Sequence, residues 1–204
     1  ASGTWFAYAS KLDNRTSDPV FLADDLQPSG EQWLDGVAAT PGLQGSYFRS
    51  ALSLTNLGTA EATLTVAYRP LGSAAPLATA DVSLPAGGAR LFADALGELY
   101  GLEEGNGWLA LAGSPVVAWA RTYNDSAAGT FGQLMPAFSS AELVSTGSRA
   151  YLPGLAQRAD ESSGGFRANA GLVNPGDGNA TVRLTATGAT GEPLGSGSWT
   201  VPAG

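Results

Sequence analysis

The stretch EATLTVAYR, residues 61–69, carries the pattern that decides the fold of this chain. Large apolar residues alternate along it with threonine or alanine, so that Leu64, Val66 and Tyr68 fall on one face of a β-strand. Turn sequences rich in Gly, Asn and Pro separate several runs of this kind at short intervals. Many short strands with regular turns predict an all-β fold made of antiparallel β-sandwiches of about seven strands each.

The same pattern returns later in the chain as part of a long internal repeat. Residues 33–69 align without a gap to residues 151–187, which lie 118 positions later. Residues 116–125 match residues 5–14, which lie 111 positions earlier. Self-similarity over such a long span indicates a repeat architecture. The aligned positions expected in the core of both copies are Phe48 and Phe166, Leu54 and Leu172, Leu64 and Val182, and Val66 and Leu184.

The phase of the repeat divides the chain into three parts. Residues 1–32 are expected to hold the closing strands of an incomplete repeat, residues 33–150 one complete β-sandwich repeat, and residues 151–204 the front strands of a further repeat. One segment, at about residues 90–101, has apolar residues at helical spacing and ends at a glycine. It predicts a single short helix that crosses between the sheets.

Repeats that begin and end out of phase are expected to expose strand edges without partners. Residues 1–32 contain the hairpin that residues 151–204 lack, so the N-terminal segment of one subunit is expected to complete a neighbour's C-terminal sheet by strand donation. The predicted contact residues are Trp5, Phe6 and Tyr8. Such a head-to-tail contact need not close and would build a filament. The alternatives are covalent continuation into further repeats and a meeting of both ends within one chain.

The amino-acid composition limits the classes of function that this protein can have. Ten basic and eighteen acidic residues give a net charge of −8, and the basic residues are scattered, which argues against nucleic-acid binding. The chain has no Cys and no His, so it lacks a disulfide framework and the commonest general base and metal ligand. No apolar run reaches the length of a membrane span. These features predict a non-enzymatic protein without cofactors, outside the cell or on its surface.

The nearest arrangement to a catalytic cluster is acidic. Asp94, Glu98, Glu103 and Glu104 follow one another along the predicted helix and the loop after it. Paired carboxylates catalyse glycosidic cleavage only when they face each other across a cleft at a fixed separation. Because these carboxylates follow one short helix and its exit loop, they are interpreted as a solvated face. A Ser-His-Asp triad is impossible because the chain has no His.

A second acidic group lies near the N-terminus. Asp13, Asn14 and Asp18 share one predicted turn, and Asp24 and Asp25 follow it. Their oxygens could serve calcium, which takes six to eight such ligands, but no EF-hand spacing is present. A solvated acidic turn is therefore favoured over a calcium site.

Aromatic residues offer a possible surface for sugars. Trp5, Trp33 and Trp108 are the tryptophans expected to be exposed, and aromatic faces can pack on the apolar faces of sugars. The aromatic residues expected in the core are Tyr8, Trp119 and Trp199. A carbohydrate-binding platform remains the less favoured interpretation.

Three Asn-x-Ser/Thr triplets could accept glycans, at Asn14, Asn124 and Asn179. Asn14 and Asn124 occupy the same predicted hairpin turn in equivalent repeats, which would place a sugar at an exposed tip. Turns rich in Thr and Asn also produce such triplets by chance, and this is the favoured explanation.

Four short motifs carry a resemblance to a known family. They are SALSLTNLG at residues 50–58, LPAG at 84–87, ARTYN at 120–124 and GTFGQ at 129–133. Together they resemble the tandem immunoglobulin-like repeats of large secreted or surface-attached bacterial proteins. The resemblance implies an all-β sandwich outside the cell, in a passive stalk or display role.

The predicted function is therefore that of an extracellular structural or interaction protein, as a stalk, an adhesin or a self-assembling fibre subunit. Its expected partners are other copies of itself, arranged head to tail, or neighbouring repeats. The alternative is a carbohydrate-binding module of a secreted protein, with surface glycans as partners.

Overall fold

The computed structural model describes residues 7–23, 27–42, 45–156 and 168–204. Within these ranges the protein is mostly β-structure, with one short α-helix, α1 (Ala95–Tyr100). The strands are β1 (Tyr8–Leu12), β2 (Pro19–Ala23), β3 (Ser29–Pro41), β4 (Tyr47–Thr55), β5 (Ala62–Pro70), β6 (Ala78–Leu84), β7 (Ala89–Phe92), β8 (Gly105–Ser126), β9 (Gly129–Pro136), β10 (Phe138–Ser139), β11 (Ala180–Thr187) and β12 (Pro193–Val201).

The main sheet is a curled antiparallel half-barrel arranged around the 22-residue strand β8. The first half of β8 pairs with β3 and β5, and its second half pairs with β4 and β9. The change of partners follows Gly113, whose φ is +143°. A Cβ atom at Gly113 would lie 2.5 Å from the carbonyl oxygen of Thr63, so only glycine allows this close approach of the two strands.

The core forms on the inner faces of these strands. Leu64, Val66 and Tyr68 are all buried, as the alternation along β5 predicts. The same core contains Leu34, Val37, Leu52, Leu54, Val82, Leu84, Phe92, Leu96, Leu109, Leu111 and Val116. The local pattern of residues 61–69 therefore gives both the strand and the face that it buries.

The predicted helix is shorter than the pattern indicated. Residues 89–92 form strand β7, which pairs with the end of β4, because Phe92 is buried in the sheet and not on a helix. The helix begins only after Asp94, whose side chain accepts a hydrogen bond from the amide of Gly97 at 3.2 Å. It ends at Gly101, which has a left-handed backbone conformation and a φ of +67°.

The tandem sandwiches expected from the sequence are not shown. Residues 151–156 and 168–175 are the counterparts of segments in β3 and β4, yet they form no strand. Of the last described range, only β11 and β12 pair, as a two-stranded sheet. In the complete repeat both β3 and β4 pair with β8, and no described strand occupies the place of β8 beside residues 151–156 or 168–173.

The predicted core positions differ accordingly between the two copies. In the complete repeat only Phe48 departs from the prediction; it is 36% exposed because it lies near the beginning of β4, against Gly42. In the second copy Leu172, Val182 and Leu184 are only half-buried. Phe166 lies outside the described residues.

The face of β8 that enters the core is the opposite of the predicted one. Trp119 was expected to point inward, but the buried neighbours are Ala118 and Ala120, and Trp119 is half-buried on the outer face. Leu54 and Leu52 of β4 lie directly opposite these two alanines and fill the core there. Small residues on β8 make room for large residues on β4.

One polar contact is made in the same way in both copies. The side-chain amide of the buried Asn56 donates hydrogen bonds to the carbonyls of Ala60, Leu84 and Pro85, at 2.8, 3.2 and 3.0 Å. Its side-chain oxygen accepts a hydrogen bond from the amide of Gly58 at 2.8 Å. The counterpart contacts join the Asn174 amide to the carbonyls of Gly178, Val201 and Pro202, and the Gly176 amide to the Asn174 oxygen.

Truncation of Leu64 tests the core of the complete repeat. We expect Leu64→Ala to lower the free energy of unfolding by about 2–5 kcal/mol, because a fully buried leucine leaves a cavity. The same change at the half-buried Leu184 should cost clearly less. Urea unfolding followed by tryptophan fluorescence measures both, and equal losses would contradict the assigned burial.

Removal of the Asn56 side chain tests the polar contact at the end of β4. We expect Asn56→Ala to lower the free energy of unfolding by about 1–3 kcal/mol, because three carbonyl groups lose their donor in a buried place. Asn174→Ala is the matched control, since its hairpin is not paired with the main sheet. Circular dichroism during urea unfolding should show the loss for Asn56→Ala and little change for Asn174→Ala.

Candidate interaction site

The N-terminal hairpin is closed by a turn that its own aspartate organises. Strands β1 and β2 pair from Tyr8 opposite Ala23 to Leu12 opposite Pro19. The Asp13 amide donates a hydrogen bond to the carbonyl of Asp18 at 3.0 Å. The Asp13 side chain accepts a hydrogen bond from the amide of Arg15 at 2.8 Å, as Asp commonly does in turns.

The turn of this hairpin contacts the hairpin of β8 and β9 at Thr130. The amide and the hydroxyl of Thr130 donate hydrogen bonds to Asp13 Oδ2, at 3.0 and 2.6 Å. In return, the Thr16 hydroxyl donates a hydrogen bond to the carbonyl of Thr130 at 2.7 Å. Gly129 has a φ of +120°, and a Cβ atom there would lie 2.8 Å from Thr16 Cγ2. The contact is therefore close as well as polar.

Asp18 forms the remaining hydrogen bonds between the two hairpins. Its Oδ2 accepts hydrogen bonds from Arg121 Nη2 at 2.9 Å and from the Gly132 amide at 3.0 Å. The side chains of Asp18 and Arg121 are 19% and 12% exposed, so water screens this ion pair less than a pair at an open surface. The guanidinium of Arg121 also lies 5.2 Å from the centre of the Tyr123 ring, which holds it in place.

The electrostatics of Asp13 follow from these donors. The hydrogen bond from the Thr130 hydroxyl, together with those from the Arg15 and Thr130 amides, lowers the pKa of the Asp13 carboxyl well below its usual range. Hydrogen bonds to a carboxylate favour its charged form. Asp13 is therefore held as an anion by groups that belong to both hairpins.

The two hairpins in contact are counterparts in the sequence repeat. Strand β1 corresponds to Trp119–Tyr123 of β8, 111 positions later. The turn of the first hairpin contributes the carboxylates, and the second hairpin contributes Arg121, Thr130 and Gly132. Different residues face each other from the two sides, so the contact is heterologous. The positions of Asp13 and Asp18 correspond to Asn124 and Gly129 in the second hairpin, so the two carboxylates themselves are not repeated.

The sequence did not predict this site. Asp13 and Asp18 were interpreted as a solvated acidic turn, but both carboxylates accept hydrogen bonds from another hairpin, and only Asn14 among the three is exposed. The described residues contain no group of three or more His, Cys, Asp or Glu that could hold a metal ion. Asp24 and Asp25 lie outside the described residues.

The predicted aromatic platform is not formed by its described members. Trp108 is only 6% exposed, and the guanidinium of Arg69 lies 5.2 Å from the centre of its ring. Trp33 is half-buried, and Trp5 lies outside the described residues. Trp108 was therefore wrongly expected at the surface, because an arginine from the neighbouring strand covers it.

Two aromatic residues predicted in the core are instead exposed. Tyr8 is 66% exposed and stacks on Phe21 of the same hairpin, with 5.7 Å between ring centres. Trp199 is 51% exposed on β12. Each lies on a two-stranded hairpin, and no second sheet in the described part of the chain covers it. Phe6, the other predicted contact residue, lies outside the described residues.

The acidic cluster around α1 has structural roles. Asp94 caps the helix and forms an ion pair with Arg49 of β4, which fixes the helix to the sheet. Glu98 accepts a hydrogen bond from the Asp94 amide at 3.0 Å. Glu103 and Glu104 are exposed in the loop after the helix.

The three predicted glycan acceptors lie in different surroundings. Asn14 is exposed in the turn of the first hairpin. Asn124 is half-buried inside β8, opposite Phe48 and Phe131, and so does not share a turn with Asn14 as expected. Strand β8 extends beyond Asn124 because its partner β9 continues to pair with it. The side-chain oxygen of the exposed Asn179 accepts a hydrogen bond from the Ala203 amide at 3.1 Å.

Comparisons with known proteins give no relative to argue from. Neither protein-family models nor curated proteins nor solved structures gave a match to this chain. Among the described residues, no helix has the length and apolar character needed to cross a membrane. The function must therefore be inferred from the contacts of the chain's own residues.

Acidification tests the state of Asp13. Its pKa is lowered in the folded protein, so its contribution to the contact is complete above the unfolded value of about 3.9 and is lost as the pH falls through the lower folded value. We expect the NMR signal of the Thr130 amide to move only well below pH 3.9. Asp13→Asn should remove this titration, and a midpoint near 3.9 in the unmodified protein would contradict the contact.

Proposed function

We propose that this chain is an extracellular structural or interaction protein: a segment of a stalk, adhesin or fibre built of successive β-repeats. The observation that carries the proposal is the contact between the two corresponding hairpins, in which Asp13 and Asp18 of one repeat bind Thr130, Arg121 and Gly132 of the next. Repeat arrays gain stability and shape from such nearest-neighbour interfaces.

The chemistry of this contact suits a structural role. It combines a partly buried ion pair with several hydrogen bonds between backbone and side chains, which are directional and fix an orientation. A single flexible ion pair at the surface would not do so. The partner of the turn that carries Asp13 and Asp18 is, on this proposal, the corresponding hairpin of the next repeat, in the same chain or in another copy arranged head to tail.

The proposal includes the kinship to immunoglobulin-like surface repeats that the sequence motifs indicate, and a sandwich of two sheets for each complete repeat. It is supported by the equivalent contacts of Asn56 and Asn174, which join the same two turns in both copies. The absence of cysteine and histidine and the low content of charged residues, 14%, fit a passive surface role. Location outside the cell is part of the same proposal.

Reversal of the Asp18–Arg121 ion pair tests the proposed role of the contact. The chain has no cysteine, so spin labels can be attached through Ala9→Cys on the first hairpin and Glu61→Cys on the complete repeat, both at exposed positions. We expect one narrow distance distribution in this labelled protein. Asp18→Arg or Arg121→Asp alone should broaden it, because two like charges then face each other, and the two changes together should restore it.

The matched control is Arg90→Asp, which reverses the charge of an exposed arginine outside the contact. It should leave the distance distribution unchanged. Single reversals at Asp18 and Arg121 that leave the distribution as narrow as before would show that the contact does not orient the repeats. Circular dichroism of each variant checks that the main sheet is folded.

A further inference from the structure

The second copy of the repeat offers an unpaired acceptor for a strand. Residues 168–173 are the counterparts of Ser50–Thr55, the part of β4 that pairs with β8 in the complete repeat. They form no strand, and Ala168, Asn169 and Ala170 are exposed. Of these six positions only Leu172 is identical to its counterpart, Leu54, so the acceptor matches the strand in position more than in sequence. No described strand pairs with it.

Strand β1 has an unpaired edge that could serve as the donor for this acceptor. It corresponds to the part of β8 that pairs with β4, and in the described structure it pairs with β2 on one side only. All five of its residues are exposed. An exposed strand edge presents backbone donors and acceptors that favour pairing with another strand. The contacts of Asp13 and Asp18 hold the turn of the hairpin and leave β1 exposed along its length.

We propose that β1 of one copy of this chain pairs antiparallel with residues 168–171 of a second copy, in the register that β8 and β4 use. Arg121 lies opposite Ala51 and Ala120 opposite Leu52 in the complete repeat. Residues of β1 lie 111 positions before their counterparts in β8, and residues of the acceptor lie 118 positions after theirs in β4. The corresponding pairs are therefore Ser10 opposite Asn169 and Ala9 opposite Ala170. The inference rests on the proposed array of repeats, for which it names the second partner surface.

Small side chains meet on the inner side in this register. The counterpart of Ala120 on β1 is Ala9, and the counterpart of Leu52 on the acceptor is Ala170, so two alanines lie opposite each other. Ser10 takes the outward place of Arg121, and Tyr8 the outward place of Trp119. Tyr8 therefore remains on the outer face after pairing, and the small residues of β1 enter the interface.

Backbone pairing of this kind is β-strand addition, in which main-chain hydrogen bonds give affinity and alternate side chains give specificity. Donor and acceptor lie on opposite flanks of the complete repeat in sequence, so the contact is head to tail and does not need to close. The acceptor is held near the complete repeat at Gly171, where a Cβ atom would lie 2.5 Å from Asp35 Oδ2. Gly171 thus lies close to a side chain of β3, while Ala168, Asn169 and Ala170 are exposed.

Engineered disulfides test the register. The chain has no cysteine of its own, so Ser10→Cys together with Asn169→Cys provides the only two thiols. Residues directly opposite in paired strands bring their Cβ atoms within about 4.5–5.5 Å, close enough for a disulfide after a small adjustment. We expect mild oxidation to produce a ladder of covalent dimers, trimers and longer species on a non-reducing gel, which reductant abolishes.

The matched control is Ser10→Cys together with Ala170→Cys. The two side chains then point to opposite faces of the sheet, so no ladder should form. A ladder of equal intensity in the control, thiols that stay free in the test variant, or a monomer lighter by two hydrogens, which marks a disulfide within one chain, would each overturn the proposal. The spin-label experiment uses no residue of 168–175, but its label at Ala9 occupies the proposed interface opposite Ala170. It therefore reports on the hairpin contact in a chain whose strand addition is blocked, and the two proposals can fail independently.

Discussion

Backbone pairing along β8 is the interaction on which the rest of the structure depends. Strands β3, β4, β5 and β9 are all hydrogen-bonded to this one strand, and the core lies between the residues that they bury. Residues 33–38 and 151–156 correspond in sequence, but only the first segment, which has β8 beside it, is a strand. Strands β11 and β12 are neighbours in sequence and pair with each other, whereas β3, β4 and β5 pair with β8, which lies far from them along the chain.

The features that could be predicted from the sequence are those set by residues close together along the chain. The strand at residues 61–69, its buried face and the end of the helix at Gly101 all follow from alternation and turn chemistry, and the structure confirms them. Alternation gives two faces, however, and does not say which of them enters the core. In β8 the large Leu52 and Leu54 on the opposite strand decide the matter, and that pairing is separated by more than sixty residues along the chain.

The interaction site was beyond prediction for a related reason. Asp13 and Asp18 stand out in the sequence as an acidic turn, but their donors Arg121 and Thr130 lie more than one hundred positions later. The one available signal was the repeat itself, because it aligns the first hairpin with the hairpin that contains Arg121. Corresponding elements of successive repeats are the natural candidates for contact, whereas their residue-level chemistry requires coordinates.

The position of Arg121 also has a mechanical consequence. A pulling force on the N-terminal hairpin is divided between the backbone that leads into β3 and the ion pair of Asp18 with Arg121. Arg121 lies in an interior strand with β4 on one side and β9 on the other. Hydrogen bonds on both flanks of β8 then share the load, whereas a strand at the margin of a sheet could be peeled away one bond at a time. The attachment point thus joins an outlying hairpin to a strand that is hydrogen-bonded on both sides.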